Sequence, residues 1–196
     1  MNAMQPPLEQ TAGTSPGPCP TIATARLSLR PHRMSDADAI AQSLGDFRVS
    51  RMLARVPAPY DRQDAVEWLT VATSGLDGDW AFAINAGDDV HIGCVAFERL
   101  GGAWHLGYWL NRYYWGRGYM SEAVHAATAR FLRRMPGTTV HSGVFADNLA
   151  SLKVQEKVGF RVTGLSETYC LARGAMVAHV KTRLEPGDFR PAAPRV

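Results

Sequence analysis

Two glycines one residue apart lie inside the run Tyr113-Tyr114-Trp115-Gly116-Arg117-Gly118-Tyr119-Met120. What such a run can do is hold an anion. Before it, the apolar residues 106–110 read as a strand. After it, Met120, Ala123, Val124, Ala127 and Phe131 recur at intervals of three and four, the spacing of one helix face. The glycines therefore fall between a strand end and a helix start. Lacking a Cβ, they can take positive φ and let a ligand come close to the backbone. The first helical turn offers amide N–H groups with no partner inside the helix, and the positive end of the helix dipole favours a phosphate there. Arg117 adds a mobile positive charge. On these residues alone a tight turn explains the stretch equally well. A third glycine at the spacing of a dinucleotide fingerprint is missing, and so is the Gly-Lys-Ser/Thr of a P-loop.

The run resembles the pyrophosphate loop of the GNAT superfamily of acyl-CoA N-acyltransferases, whose usual pattern is Gln/Arg-x-x-Gly-x-Gly/Ala. Gly116 and Gly118 fall on the small positions, and Tyr113 stands where glutamine or arginine is common. The wider run through Ser121-Glu122-Ala123 is similar to the ribosomal-protein-alanine acetyltransferase branch, which also holds relatives acting on small amines. A second motif follows in the expected order: Asn148-Leu149-Ala150-Ser151, then Glu156-Lys157-Val158-Gly159-Phe160. Bland readings stand beside it, with Asn148 as a helix cap, Gly159 just past a helix end and Phe160 in a core.

The resemblance implies acetyl transfer from acetyl-CoA straight to a primary amine, on a protein N-terminus or a small molecule. That chemistry needs a thioester held beside the amine, a deprotonated nitrogen, a donor for the carbonyl oxygen and a proton for the departing thiolate. The family pattern puts the pantetheine arm between residues 106–110 and 139–145. It is expected to pair with backbone near Trp109, Leu110 and Asn111, and Asn148 is expected to bind the arm. The cradle is expected at Trp115, Gly116, Arg117, Gly118, Tyr119 and Met120. Ser151 is the expected acid. Two residues are candidates for the base, Glu98 acting through water, which is favoured, and His105, which occupies a position where relatives often carry glutamate. A carboxylate common in the last hairpin of this branch falls on Cys170 or Ala178. A CoA-binding module of the same fold without catalysis is the alternative.

The elements that must position these groups follow from pattern. Residues 25–30 alternate as a strand does, and helices are expected after Ser35 or Asp36, over 47–53 and after Asp61. Residues 80–85, 91–99 and 103–110 read as an antiparallel meander with glycine-rich turns. A helix over 118–134 stops at Met135-Pro136-Gly137, a strand covers 138–145, a short helix ends at Gly159, and two strands close the chain. The expected fold is α/β of the α+β kind, a mixed and mainly antiparallel sheet of about seven strands flanked by helices. Residues 22–186 are the expected domain. Residues 1–21, holding five of the 12 prolines, and 187–196 are the expected tails.

Composition narrows the partners. A net charge of +3, from 21 basic and 18 acidic residues, is too mild and too scattered for a nucleic-acid surface. The longest apolar runs are too short for a membrane span. Three cysteines, Cys19, Cys94 and Cys170, lack paired or metal-ligand spacing. They point to a reducing cytoplasm and to no metal. Monomer and homodimer are both compatible with the sequence.

Overall fold

The structure is a computed structural model and describes residues 15–75 and 78–191. Eight strands form one sheet: β1 (Ile22–Ala23), β2 (Leu27–Pro31), β3 (Trp80–Ala86), β4 (Val90–Leu100), β5 (Ala103–Leu110), β6 (Val140–Phe145), β7 (Arg161–Cys170) and β8 (Ala175–Leu184). Their order is β1-β2-β3-β4-β5-β6-β8-β7. All neighbours are antiparallel except β5 and β6. The helices are α1 (Ala37–Leu44), α2 (Phe47–Ser50), α3 (Arg62–Ala72), α4 (Tyr119–Arg134) and α5 (Leu149–Val158).

Each sheet face has its own core. On one face α4 buries Met120, Ala123, Val124, Ala127 and Phe131, the residues its periodicity selects. Phe131 stacks on Phe97 at 4.2 Å and meets Trp80 and Trp104 edge-on at 5.7 and 5.1 Å. On the other face α1 and α3 pack Ile40, Leu44, Ala65 and Leu69 together, with Trp109 of β5 against them. Asp61 caps α3 by accepting from the amides of Gln63 and Asp64. Alternation along β5 thus sends Trp104, Leu106, Tyr108 and Leu110 to the α4 side and His105, Gly107 and Trp109 to the α1–α3 side.

The folded unit is longer than the sequence pattern implies. Pro16 is buried, the Gly17 carbonyl accepts from the Trp80 indole at 2.7 Å, and Cys19 packs on the core. At the other end the Arg190 amide donates to Val158 at 2.9 Å, and Phe189 lies against the core. Both stretches were expected in tails; a tryptophan N–H and a core-facing phenylalanine hold them instead. Residues 1–14 and 192–196 of those expected tails lie outside the described residues. The eighth strand, β1, has two residues, too few for any periodic signal.

Candidate active site

Parallel pairing between β5 and β6 covers only Trp104 with Val140 and His105 with His141. Beyond that point the two strands diverge, and a cleft of about 1270 Å³ opens between them. The glycine loop, α5 and both sheet faces line it. The wedge is propped by a chain of polar contacts. Ser142 donates to the Leu106 carbonyl at 2.8 Å, Gln155 donates to Ser142 at 2.8 Å, and Thr182 donates to Gln155 at 2.6 Å. Gln155 and Thr182 are buried, so these partners satisfy groups that would otherwise be costly to desolvate.

At one end of the wedge the loop has the backbone its glycines permit, with φ of 73° at Gly116 and 75° at Gly118. Gly118 caps α4. Arg26 braces this end: it donates to the Arg117 carbonyl at 2.9 Å, pairs with Glu122 at 2.7 Å and lies over the Tyr119 ring at 4.5 Å. Glu122 also accepts from Thr24, so the start of the sheet is tied to the first turn of α4.

On the α4–α5 side of the wedge two hydroxyls meet. Ser151 Oγ donates to the Tyr108 hydroxyl at 2.8 Å, and that hydroxyl donates to the Ser151 carbonyl at 3.0 Å. Burial pushes the Tyr108 phenol up to about 12, so it stays protonated at neutral pH. On the opposite side is a polar floor. Glu98 and His105 are direct cross-strand partners, and His105 stacks on His141 with ring centroids 5.4 Å apart. Arg55 reaches down from the loop after α2 to an ion pair with Glu98. Burial, and then the neighbouring His141, lower the His105 pKa below its usual range. His105 is therefore neutral at pH 7 with a lone pair to offer.

A diverging parallel pair, a glycine loop opening a helix and hydroxyls beside the gap form one continuous site. Residues 26–161 match the family described as Acetyltransferase (GNAT) domain. The chain belongs to the GNAT acetyltransferase family. A curated relative, the uncharacterized N-acetyltransferase p20 of Bacillus licheniformis, is 26% identical over 163 residues, which is 80% of this chain and 91% of the relative. The fold is also that of solved structures. A ribosomal-protein-S5-alanine acetyltransferase from Vibrio fischeri superposes with a TM-score of 0.74 at 20% identity, covering 87% of this chain and 99% of that one. A spermidine N-acetyltransferase from Vibrio cholerae, solved with CoA and spermine, gives 0.72 at 13% identity, covering 84% and 98%.

Within this GNAT site, Glu98, His105, Trp109, Leu110, Trp115, Gly116, Gly118, Met120, Asn148 and Ser151 all line the cleft. Three expected contacts do not. Asn111 spends its amide on Ile92 at 2.8 Å, and its side chain bonds Ser43 and Tyr113. The Arg117 side chain turns to the Tyr114 ring, 5.9 Å away, and the Tyr119 ring lies under Arg26. Because Asn111 aims its backbone at β4, alternate residues Tyr108 and Leu110 aim theirs into the wedge. The Leu110 carbonyl is already taken by the Trp115 indole at 2.8 Å. Asn148 caps α5 through an oxygen accepting from the Ser151 amide at 3.1 Å.

Sequence reasoning missed Tyr108, Arg26 and Gln155. For Tyr108 a signal existed: a phenol in the apolar α4-facing set of β5 needs a partner when buried. It also missed a second histidine group. His32, Asp36 and His91 bring their ligand-type atoms within 4.8 Å of one another. Both Asp36 oxygens are held by Arg30, at 2.8 and 2.9 Å, so a metal ion there would face a guanidinium. The donor set fits an ion pair and does not fit a metal centre.

Proposed function

We propose that this protein is an acetyl-CoA-dependent N-acetyltransferase that moves the acetyl group directly to a primary amine, without an acyl-enzyme. The observation that carries the reading is the wedge between β5 and β6, with an anion cradle at one end and proton-handling groups on both walls. The loop amides and the start of α4 hold the pyrophosphate. The backbone of Tyr108 and the Leu110 amide pair with the pantetheine arm, and an N–H there polarises the thioester carbonyl. The acetyl carbon then faces the floor beside Gly107.

The acceptor arrives mostly as an ammonium, with a pKa near ~10 like that of lysine. Glu98 draws it in, and His105, neutral and adjacent, takes the proton. This shares the work between the two candidate bases, because a carboxylate ion-paired with Arg55 serves attraction better than proton removal. The nitrogen attacks the carbonyl, the C–S bond breaks, and Ser151 protonates the thiolate. The Tyr108 phenol holds the Ser151 hydroxyl in place and stands behind it as a proton source.

The test is release of CoA thiol from acetyl-CoA in the presence of a panel of amines, with calorimetric CoA binding as a control. Amine-dependent release supports the reading, whereas CoA binding without turnover on any amine supports a binding module. Ser151→Ala should lower kcat by about 10²-fold with little change in the KM for acetyl-CoA. An unchanged kcat would assign Ser151 to structure.

A further inference from the structure

The acceptor floor carries an unusual balance of charge, and this inference rests on the transferase reading above. Its carboxylates are Glu98 and Asp147. Neither is unmatched. Glu98 is paired with Arg55, and Asp147 is held by Arg51 at 2.8 Å and by Arg173 at 2.9 Å. Three lysines line the cleft, and two of them, Lys153 and Lys157, belong to α5 on the opposite wall; the third stands on the floor itself. Lys181 lines the cleft and is exposed, and it has no hydrogen-bond or ion-pair partner among the described residues.

The register fixes where Lys181 stands. It pairs with Gly143 of β6, two residues from His141, which stacks on His105. Alternation puts Glu98, His105, His141, Gly143 and Lys181 on one face of the sheet. The His179 ring covers Gly143, whose missing side chain is what admits it: a Cβ there would lie 2.1 Å from the ring. Burial, and then the Lys181 ammonium, lower the His179 pKa, so this ring is neutral at pH 7 and does not share the positive charge. The floor therefore offers one matched pair that a ligand can exchange and one ammonium waiting for an anion.

We infer that the acceptor is an amine that also carries a carboxylate, an amino acid or amino-acid derivative, with its ammonium at Glu98 and its carboxylate at Lys181. Arg55, 71% exposed at its side chain, gives way to the incoming ammonium and can itself turn to the carboxylate. A polyamine is the opposite case. Its several charges would meet no carboxylate free of an arginine, and they would confront Lys181. Such like-charge juxtaposition is a strong means of rejecting a wrong partner.

The experiment compares kcat/KM for matched acceptors: leucine with leucinamide, δ-aminovalerate with pentylamine, and spermidine. The carboxylate-bearing member of each pair should lead by about tenfold or more, worth about 1.4 kcal/mol, and spermidine should be the poorest. Lys181→Met should pull the ratio within a pair toward one, and Lys181→Glu should invert the order in favour of spermidine. A preference for the uncharged members or spermidine, or a ratio that Lys181→Met leaves unchanged, overturns the inference while the transferase reading stands. Should no amine be turned over, the transferase reading fails. Calorimetry with leucine on the CoA-loaded protein then decides the subsite: binding lost in Lys181→Met supports it, and absence of binding overturns it.

Discussion

The protein has two histidine pairs on the same side of its sheet, almost equally spaced. His32 and His91 have ring centroids 5.5 Å apart, and His105 and His141 are 5.4 Å apart. Distance does not distinguish them; surroundings do. The first pair is sealed beneath α1 and α3, with the His32 side chain fully buried and Trp68 and Trp109 against the rings. Its charge partner, Asp36, is 5% exposed and already committed to Arg30, which is 9% exposed. The second pair opens on the cleft beside Glu98. Burial lowers the pKa of His32, His91 and His105 alike, but only the second pair faces the cleft. A lowered histidine pKa thus goes with a sealed cluster in one place and with a cleft-facing ring in the other, and access is what separates them.

The strongest way to test the sealed half is Asp36→Ala. It would strand the Arg30 guanidinium, leaving it a bond to the Pro31 carbonyl at 3.1 Å and a 3.7 Å approach to Asp89. The loss should be about 3 kcal/mol or more, seen as a lower denaturation midpoint. A loss under about 1 kcal/mol would mean the cluster is not an ion pair that the fold depends on.

For the open half, His105→Ala should leave the midpoint nearly unchanged and lower kcat/KM by about 10²-fold at neutral pH. In the parent enzyme the rate should rise with pH through the His105 pKa, below its usual ~6.5, because only the neutral ring accepts a proton. The groups facing that ring are Glu98, Arg55 and His141. This acidic limb should vanish in the variant, leaving the rise set by the amine itself. Survival of the limb would return the base role to Glu98.

Acid stability separates the pairs next. The His91 pKa is lowered to about 4, chiefly by burial, and that of His32 is lowered as well. In the unfolded chain both protonate near ~6.5. Their contribution is complete above that pH and is lost as pH falls toward the folded value, by up to about 1.4 kcal/mol per unit for each ring. Denaturant midpoints measured from pH 7 to 4 should fall, and His91→Leu should flatten the slope. A slope unaltered by that change would place the acid sensitivity elsewhere.

The smallest effect belongs to His141→Ala. Removing the neighbouring ring should let the His105 pKa climb back toward its usual range. The acidic limb would shift upward in pH, with about a twofold loss of kcat/KM at neutral pH. A downward shift would contradict the charge coupling between the rings.

Most of the framework was legible in the chain, for identifiable reasons. Residues 103–110 were expected as a strand after a glycine-rich turn, and those limits match β5; the two strands expected to close the chain are β7 and β8. The glycine loop was legible because positive φ demands that residue type. Contacts across the sheet were less so. His32 and His91 are brought together only by the folding of β2 to β4, and nothing local marks them. Which edge of β5 faces the wedge depends on a one-residue register that the apolar pattern cannot fix. Docking of Pro16, Cys19 and Phe189 was hidden because proline-rich ends resemble tails until the Trp80 indole and the α4 surface are placed.

The central claim is direct transfer of acetyl from the wedge to an amine on the floor. Intact-protein mass spectrometry tests it when acetyl-CoA is supplied first and a reactive amine from the panel second. The account predicts an unmodified protein mass in the first phase, then acetylated amine and CoA thiol in equal amounts in the second. A protein mass raised by one acetyl group that disappears on adding the amine would contradict it, because the group would then have passed through the enzyme.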